Sequence, residues 1–401
     1  MHYAVPRMLE KRGALAAFYT DFSSNILPGR ILRILPERAL PNVLVRMRGR
    51  FVSGVPESKI HGSAWLGVSY ANARRRAINS DDLALVNIEY GSRLCRHVAK
   101  SGLIQSDSAV FGFNSATLEM AQQARLVGAK VIMEQTIAPK IVEMRILATY
   151  ANRYPDWVST DAMDLDNSGP GTSGFIEREE KEWELADLIL CGSRFVQESL
   201  IEAGYTRGKC IVVPYGVNES LNWKLRTPRP MPNKLRVLTV GTVGLRKGSP
   251  ILLDVARQTS SFCEFKVAGP IDAPEAAISK LSQYAQVLGV IPRTQISYLY
   301  DWADVFLLPS LCEGSATVTY EATRSGVPVI CSRSTGSQVR HEYDGIVCQT
   351  NSSAEYASIL ERIAKHSGLL EQLSQNTKLS RDALSEQQYE ARLADALSLH
   401  T

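Results

Sequence analysis

The chain is short of the features that mark specialised protein classes. Its seven cysteines (Cys95, Cys191, Cys210, Cys263, Cys312, Cys331, Cys348) stand singly among 401 residues, with no C-x-x-C pair. That spacing fits neither a disulfide framework nor a zinc site, and the thiols read as small buried hydrophobes in a reducing compartment. No apolar run reaches the ~18–20 residues of a membrane-spanning helix. The stretch Gly13–Tyr19 follows Lys11 and Arg12 but is short for a signal sequence, and no cleavage pattern follows it. The expectation is a cytoplasmic protein. Neither sign of charge dominates, because 45 Lys+Arg stand against 41 Asp+Glu for a formal net charge of +4. That balance excludes the strongly basic footprint of a nucleic-acid binder and the acidic, aromatic-poor composition of a disordered chain.

What is present is ample core material: 45% of residues are hydrophobic, and the length suits two domains. The second half alternates strands and helices. Leu235–Val240, Phe265–Ala268, Val305–Leu308 and Val327–Cys331 read as buried strands, with Val290-Ile291 as an edge of strand. Helices are expected at Pro250–Ser260, Ala276–Leu288, Gln295–Trp302 and Ser315–Ser325. The first half keeps this rhythm at Ala109–Phe113, Ala116–Val127, Lys130–Glu134, Leu188–Cys191, Phe195–Ala203 and Ile211–Val213. Such alternation predicts α/β domains with parallel, doubly wound sheets. The proline-rich, basic Lys224–Lys234 suggests a boundary. The expected domains are residues 1–224, a linker at 225–234, a second domain at 235–381 and a terminal helix at 382–401 that packs back on the first.

Ligands of doubly wound sheets bind beyond the carboxyl ends of the strands. One junction there is Gly241-Thr242-Val243-Gly244-Leu245-Arg246-Lys247-Gly248, where two cations stand at a helix start that already favours anions. It lacks the G-x-x-x-x-G-K-[ST] order of a P-loop. The second is Pro309–Ala322, where Gly314, Ser315, Ala316 and Thr317 open a helix and offer N–H groups as another anion seat. Glu313 precedes that helix, and Glu321 lies one turn beyond Thr317 on the same face.

The pair Glu313–x7–Glu321 within PSLCEGSATVTYEATRSGVPVICS resembles the signature of retaining GT-B glycosyltransferases of family 4 (group 1). So do the strand–loop–Lys247-Gly248 segment and LCGSRF…VVPYGVN (Leu190–Asn218), and together the three cover roughly residues 180–350. The resemblance implies GT-B architecture, with two Rossmann-like domains facing across a cleft and a nucleotide sugar held mainly by the second. It implies that Lys247 binds the donor diphosphate, that Glu313 contacts the transferred sugar and that Glu321 meets the ribose. The N–H groups of Ser315, Ala316 and Thr317 would hold diphosphate or sugar, and backbone near Val290 and Ile291 would read the base. Neither a cofactor nor a metal is implied, and the leaving phosphate itself accepts the acceptor's proton. Three departures stand out. Thr242 occupies the place of a usual Arg, for which Arg246 is a candidate substitute. The stretch Glu134-Gln135-Thr136 lacks a usual His. The chain opens helix-like, so the usual first strand is either lost through a late start or dispensed with.

Other features carry less. Asp164-Leu165-Asp166 matches D-x-D, which short Asp-rich loops produce by chance. The six histidines form no H-x-x-x-H pattern, and His61 beside Gly62 reads first as structural. In Arg30–Arg50 six arginines interleave with apolar residues. That suits either peripheral contact with an anionic membrane or a helix pair with snorkelling arginines. The overall expectation is a hexosyltransferase taking a UDP- or GDP-sugar to a saccharide or glycolipid acceptor in surface polysaccharide assembly. A GT-B epimerase or phosphorylase, a catalytically dead nucleotide-sugar-binding module and a membrane-docking scaffold remain as alternatives.

Overall fold

The computed structural model describes residues 3–36, 40–158, 169–205, 208, 210–217, 225 and 233–398. In chain order the first elements are α1 (Ala4–Lys11), β1 (Phe18–Thr20), α2 (Gly29–Ile34), α3 (Asn42–Arg48), β2 (Ile60–Gly62), α4 (Ala64–Arg76) and α5 (Ser80–Ala99). Next come β3 (Ala109–Phe113), α6 (Leu118–Val127), β4 (Lys130–Gln135), α7 (Lys140–Arg153), α8 (Pro170–Leu185), β5 (Leu188–Cys191), α9 (Arg194–Glu202) and β6 (Cys210–Val212). The second half supplies β7 (Leu235–Val240), β8 (Val243–Gly244), α10 (Ser249–Thr259), β9 (Cys263–Ala268), β10 (Ile271–Asp272), α11 (Glu275–Ser282) and β11 (Ala285–Gly289). It ends with α12 (Ile296–Trp302), β12 (Val305–Leu308), α13 (Thr317–Arg324), β13 (Val329–Ser332), β14 (Gly345–Cys348), α14 (Ser353–Lys365), α15 (Ser367–Ser380) and α16 (Glu386–Ser398).

The chain divides into two compact units, Met1–Glu134 with Asn167–Leu190, and Gln135–Asp166 with Cys191–Thr401. In the first unit β3, β4 and β5 lie side by side, with β3 and β4 parallel, while β1 and β2 form a separate parallel pair. A strand does therefore stand near the start of the chain, at Phe18–Thr20, after the helix that the opening residues predict. Helix α8 carries a buried polar group into this unit. Its Glu182 accepts the N–H groups of Ser115, Thr117 and Leu118 at 2.7, 2.9 and 3.0 Å, closing the start of α6. Arg178, one turn away, pairs with Glu119 at 2.7 Å.

The second unit is built on a sheet in the order β11-β9-β7-β12-β13-β14, parallel throughout. Numbered along the chain that is 3-2-1-4-5-6, the order of a dinucleotide-binding sheet. Successive residues of β12 serve opposite layers. Val305 and Leu307 join Ile251, Val255 and Tyr356, whereas Phe306 and Leu308 join Tyr300, Tyr320 and Val329. Both faces are buried, so these strands read as continuous apolar runs. The α7 residues Ile146, Leu147 and Tyr150, with Trp157, pack on the first of these layers. Helix α16 lies against residues 214–217, where Arg392 donates to the Pro214 carbonyl at 3.0 Å and Val217 bonds to Leu384.

The region 276–291 corrects the sequence reading. The helix stops at Ser282, and the strand is Ala285–Gly289 rather than Val290-Ile291. Val290 lies beyond the strand and is 69% exposed.

Candidate functional site

In a 3-2-1-4-5-6 sheet the connections after strands 1 and 4 leave in opposite directions, which opens a crevice at their carboxyl ends. Here these strands are β7 and β12. The loop after β7 turns at Gly241, with Thr242 half-buried beside it, and passes through a single 3₁₀ turn, Leu245–Lys247, into α10. Glycine is required at 248. Its φ is +70°, and a β-carbon there would stand 1.9 Å from the Pro309 carbonyl oxygen. That close approach locks the β7 loop to the β12 loop, as does the 2.9 Å bond from Leu311 N–H to the Arg246 carbonyl.

The lock brings three charges together. Lys247 Nζ lies 2.6 Å and an Arg246 guanidinium nitrogen 2.8 Å from the same Glu313 oxygen, Oε1. Arg246 also donates to the Cys312 carbonyl at 3.0 Å. The two cations therefore meet at one oxygen, although a 3₁₀ turn sets neighbouring side chains roughly 120° apart around its axis. Lys247 passes over Gly241, its Nζ 3.7 Å from where a β-carbon would stand. Burial pushes the lysine's pKa down, Glu313 pulls it back up, and Arg246 lowers it.

Beyond Glu313 the chain turns tightly at Gly314, where a β-carbon would stand 1.7 Å from the Thr136 carbonyl oxygen. The Gly314 carbonyl accepts the Ser193 hydroxyl, and the Ser315 and Tyr320 hydroxyls bond to each other. Helix α13 begins at Thr317, two residues later than expected. One part of the anion seat is corrected: the Ala316 N–H donates to the Thr335 carbonyl at 3.2 Å and is occupied. Among the described residues no acceptor meets the N–H of Gly314, Ser315, Thr317 or Val318.

Glu321, in the middle of α13, is buried, as the flanking Tyr320 and Ala322 suggest. Its Oε1 accepts Arg293 at 2.8 Å and its Oε2 the Tyr300 hydroxyl at 3.0 Å. Burial raises its pKa, and Arg293 and Tyr300 hold it back. Arg293 shares a loop with Val290 and Ile291, so the fold joins these positions to Glu321 through that arginine. Sequence reasoning did not name Arg293 or Tyr300, and it met Ser193 and Thr136 only within the LCGSRF and Glu134-Gln135-Thr136 segments, with no contact assigned to either. Tyr300 gave one usable signal, since a buried tyrosine hydroxyl needs a partner. The others act from far along the chain and leave no local pattern.

In the first unit, His61 lies on β2 with its ring stacked on Tyr19, centroids 4.8 Å apart, which supports its structural reading. At the end of β4, Gln135 is fully buried and donates to the Ile137 carbonyl. Helices α2 and α3 pack together. Arg30 pairs with Glu57, Arg50 with Asp21, and Arg33 lies over the Phe51 ring, while Ile31, Ile34 and Leu35 remain exposed. Asp164-Leu165-Asp166, Asn218 and most of the 225–234 linker lie outside the described residues. No group of three or more His, Cys, Asp or Glu that could hold a metal occurs among the described residues. No described helix is long and apolar enough to cross a membrane.

Comparison with known proteins places this geometry in context. Residues 234–366 match the family model for glycosyl transferases, group 1. The amylovoran biosynthesis glycosyltransferase AmsK of Erwinia amylovora is 30% identical over 196 residues, 45% of this chain and 48% of that protein. The chain spans about half the length of the curated relatives it matches. Among solved structures, sucrose-phosphate synthase from Thermosynechococcus elongatus superposes with a TM-score of 0.61 at 18% identity, covering 80% of this chain and 79% of that one. HepE of Anabaena, solved with UDP and glucose, gives a TM-score of 0.54 at 17% identity, covering 77% and 81%. The fold is that of the GT-B glycosyltransferases, with Rossmann-like parallel sheets.

Proposed function

We propose that the chain is a retaining, metal-independent hexosyltransferase that uses a UDP- or GDP-sugar in surface polysaccharide assembly. The observation that carries this reading is the convergence of Lys247 and Arg246 on Glu313 at the crevice between β7 and β12, beside open N–H groups at the start of α13. The diphosphate takes the place of Glu313 as partner of Lys247 and accepts the N–H groups of Ser315 and Thr317. Glu313 then turns to the hydroxyls of the sugar. Glu321 accepts the ribose hydroxyls, and backbone near Val290 and Ile291 meets the base.

In the reaction the bond between the sugar's anomeric carbon and the phosphate oxygen breaks, and the acceptor oxygen bonds to that carbon on the same face. The acceptor's proton passes to the leaving phosphate, so no side-chain base is needed. Lys247 opposes the negative charge that grows on the diphosphate, in a site where little water screens it. The acceptor is a saccharide or lipid-linked saccharide. Peripheral contact of Arg30–Arg50 with an anionic membrane would bring the protein to it, and the exposed Ile31, Ile34 and Leu35 beside Arg30 and Arg33 support that contact.

Slow donor hydrolysis tests the chemistry without knowledge of the acceptor. Proton NMR of UDP-glucose, UDP-galactose and GDP-mannose incubated with the protein should show one donor releasing its sugar first as the retained α-anomer, unchanged by EDTA. First release of the β-anomer contradicts retention, and loss of turnover in EDTA contradicts metal independence. Nucleotide binding with no turnover, even with a lipid-linked saccharide supplied, favours a binding module. A C2-epimerised sugar product, or dependence on inorganic phosphate, assigns an epimerase or a phosphorylase.

A further inference from the structure

Glu321 has two partners of opposite kinds. Tyr300, from α12, is fully buried; its hydroxyl donates to Oε2 at 3.0 Å and lies 3.3 Å from the Val318 carbonyl. That contact is part of the core. Arg293, from the loop between β11 and α12, reaches Oε1 at 2.8 Å with a side chain 64% exposed. It is a contact made from the solvent side. A carboxylate offers about four acceptor positions, and these two donors leave roughly two free. Two neighbouring ribose hydroxyls need that number, provided the group is ionised. A protonated carboxyl presents its own O–H as a donor and loses acceptor capacity. The site therefore has to keep a buried acid charged.

Resting on the donor-site reading above, we propose that Arg293 is a positioning residue of the ribose seat. Its guanidinium holds Glu321 in the charged form that accepts two ribose hydroxyls together, and ties that seat to the loop bearing Val290 and Ile291. Burial raises the Glu321 pKa, and of the groups facing it Arg293 and Tyr300 act in the opposite direction, Arg293 the more strongly. Tyr300 stays neutral, because burial and the neighbouring carboxylate raise its own pKa well above the ordinary value. Without Arg293 the carboxyl protonates at a higher pH than in the wild type. As pH falls, ribose binding is then lost at a higher value than in the wild type. The site thus gains its acceptor from the core and its charge state from an exposed loop.

Calorimetric titration of the full chain with UDP, GDP and ADP, at about pH 6 and about pH 8, tests this. The proteins are wild type, Arg293→Ala, Arg293→Lys and Arg293→Ala combined with Glu321→Gln. Taking the nucleotide that wild type binds best, Arg293→Ala should weaken it by about tenfold at the lower pH and by less at the higher. Arg293→Lys should restore most of the affinity at both. The double variant should lose the extra pH dependence that Arg293→Ala adds over wild type, because Glu321 no longer titrates. An Arg293→Ala protein that binds as wild type, or is weakened equally at both pH values, overturns the proposal. If wild type binds none of the three nucleotides, the donor-site reading itself fails and the proposal falls with it. Unchanged melting temperatures in the absence of nucleotide separate these outcomes from misfolding.

Discussion

Replacing Lys247 by alanine separates what the charge cluster does for stability from what it does for a ligand. The lysine is 13% exposed and its partner Glu313 is 10% exposed, so the pair is largely desolvated. Breaking such a pair usually leaves a costly lone charge, about 3–5 kcal/mol when nothing else compensates it. Here Arg246 remains on the same oxygen at 2.8 Å, so the carboxylate keeps a counter-ion. The net destabilisation should be only about 1 kcal/mol. For a domain of this size that is a melting shift of roughly 2–4 °C. The ligand loses more, because a charge-assisted bond to a phosphate in a sheltered site contributes about 1.5–3 kcal/mol. UDP or GDP should therefore bind roughly 10- to 150-fold more weakly by calorimetry. Turnover should fall further, by about 10²- to 10³-fold, since the lysine opposes charge that grows only as the bond breaks. Affinity within about threefold of wild type, in a protein that Glu321→Ala disables, would refute the placement of the diphosphate at Lys247.

Two further predictions rest on packing and burial. Gly314→Ala places a β-carbon 1.7 Å from the Thr136 carbonyl oxygen, so the two loops must part. Calorimetry should show a loss of about 1–3 kcal/mol together with weakened nucleotide binding, and unchanged stability would mean that the contact is slack. Burial pushes the Glu182 carboxyl up to about 7 from its ordinary 4.5, against the pull of three N–H donors and Arg178. Between those values the folded protein holds a proton that the unfolded chain has lost, so stability should fall as pH rises through that window, by about 3 kcal/mol in total. Urea titrations across the window should show that slope in wild type and not in Glu182→Gln. An unchanged slope in the variant assigns it to another group.

Much of the second unit was legible because its strands are buried on both faces. LRVLTV and VFLL stand out as apolar runs whatever surrounds them, and they fix the two loops that carry Lys247 and Glu313. The reading failed where burial is one-sided. In β11 the first residue, Ala285, is the one buried, and the apolar spacing of α11 continues through Tyr284, so the helix ran on into the strand. The start of α13 was placed early because small residues suit a helix opening as well as a loop, and the bond from Ala316 to Thr335 is invisible locally. The partners of Glu321 lie 21 and 28 residues away along the chain, on another helix and a loop. The family resemblance singled out the glutamate. Only the fold identifies what neutralises it.

The crevice at β7 and β12 should bind a nucleoside diphosphate through Lys247 and Glu321. A thermal-shift panel of UDP, GDP, ADP and CMP on wild type, Lys247→Ala and Glu321→Ala tests it most directly. A diphosphate at 100-fold its dissociation constant should add about 2.7 kcal/mol, a rise of roughly 5–11 °C. Wild type should show that rise with one diphosphate, and both variants should show it cut to about half or less at the same ligand concentration. A wild type that none of the four ligands stabilises, or a rise undiminished in both variants, would contradict this placement.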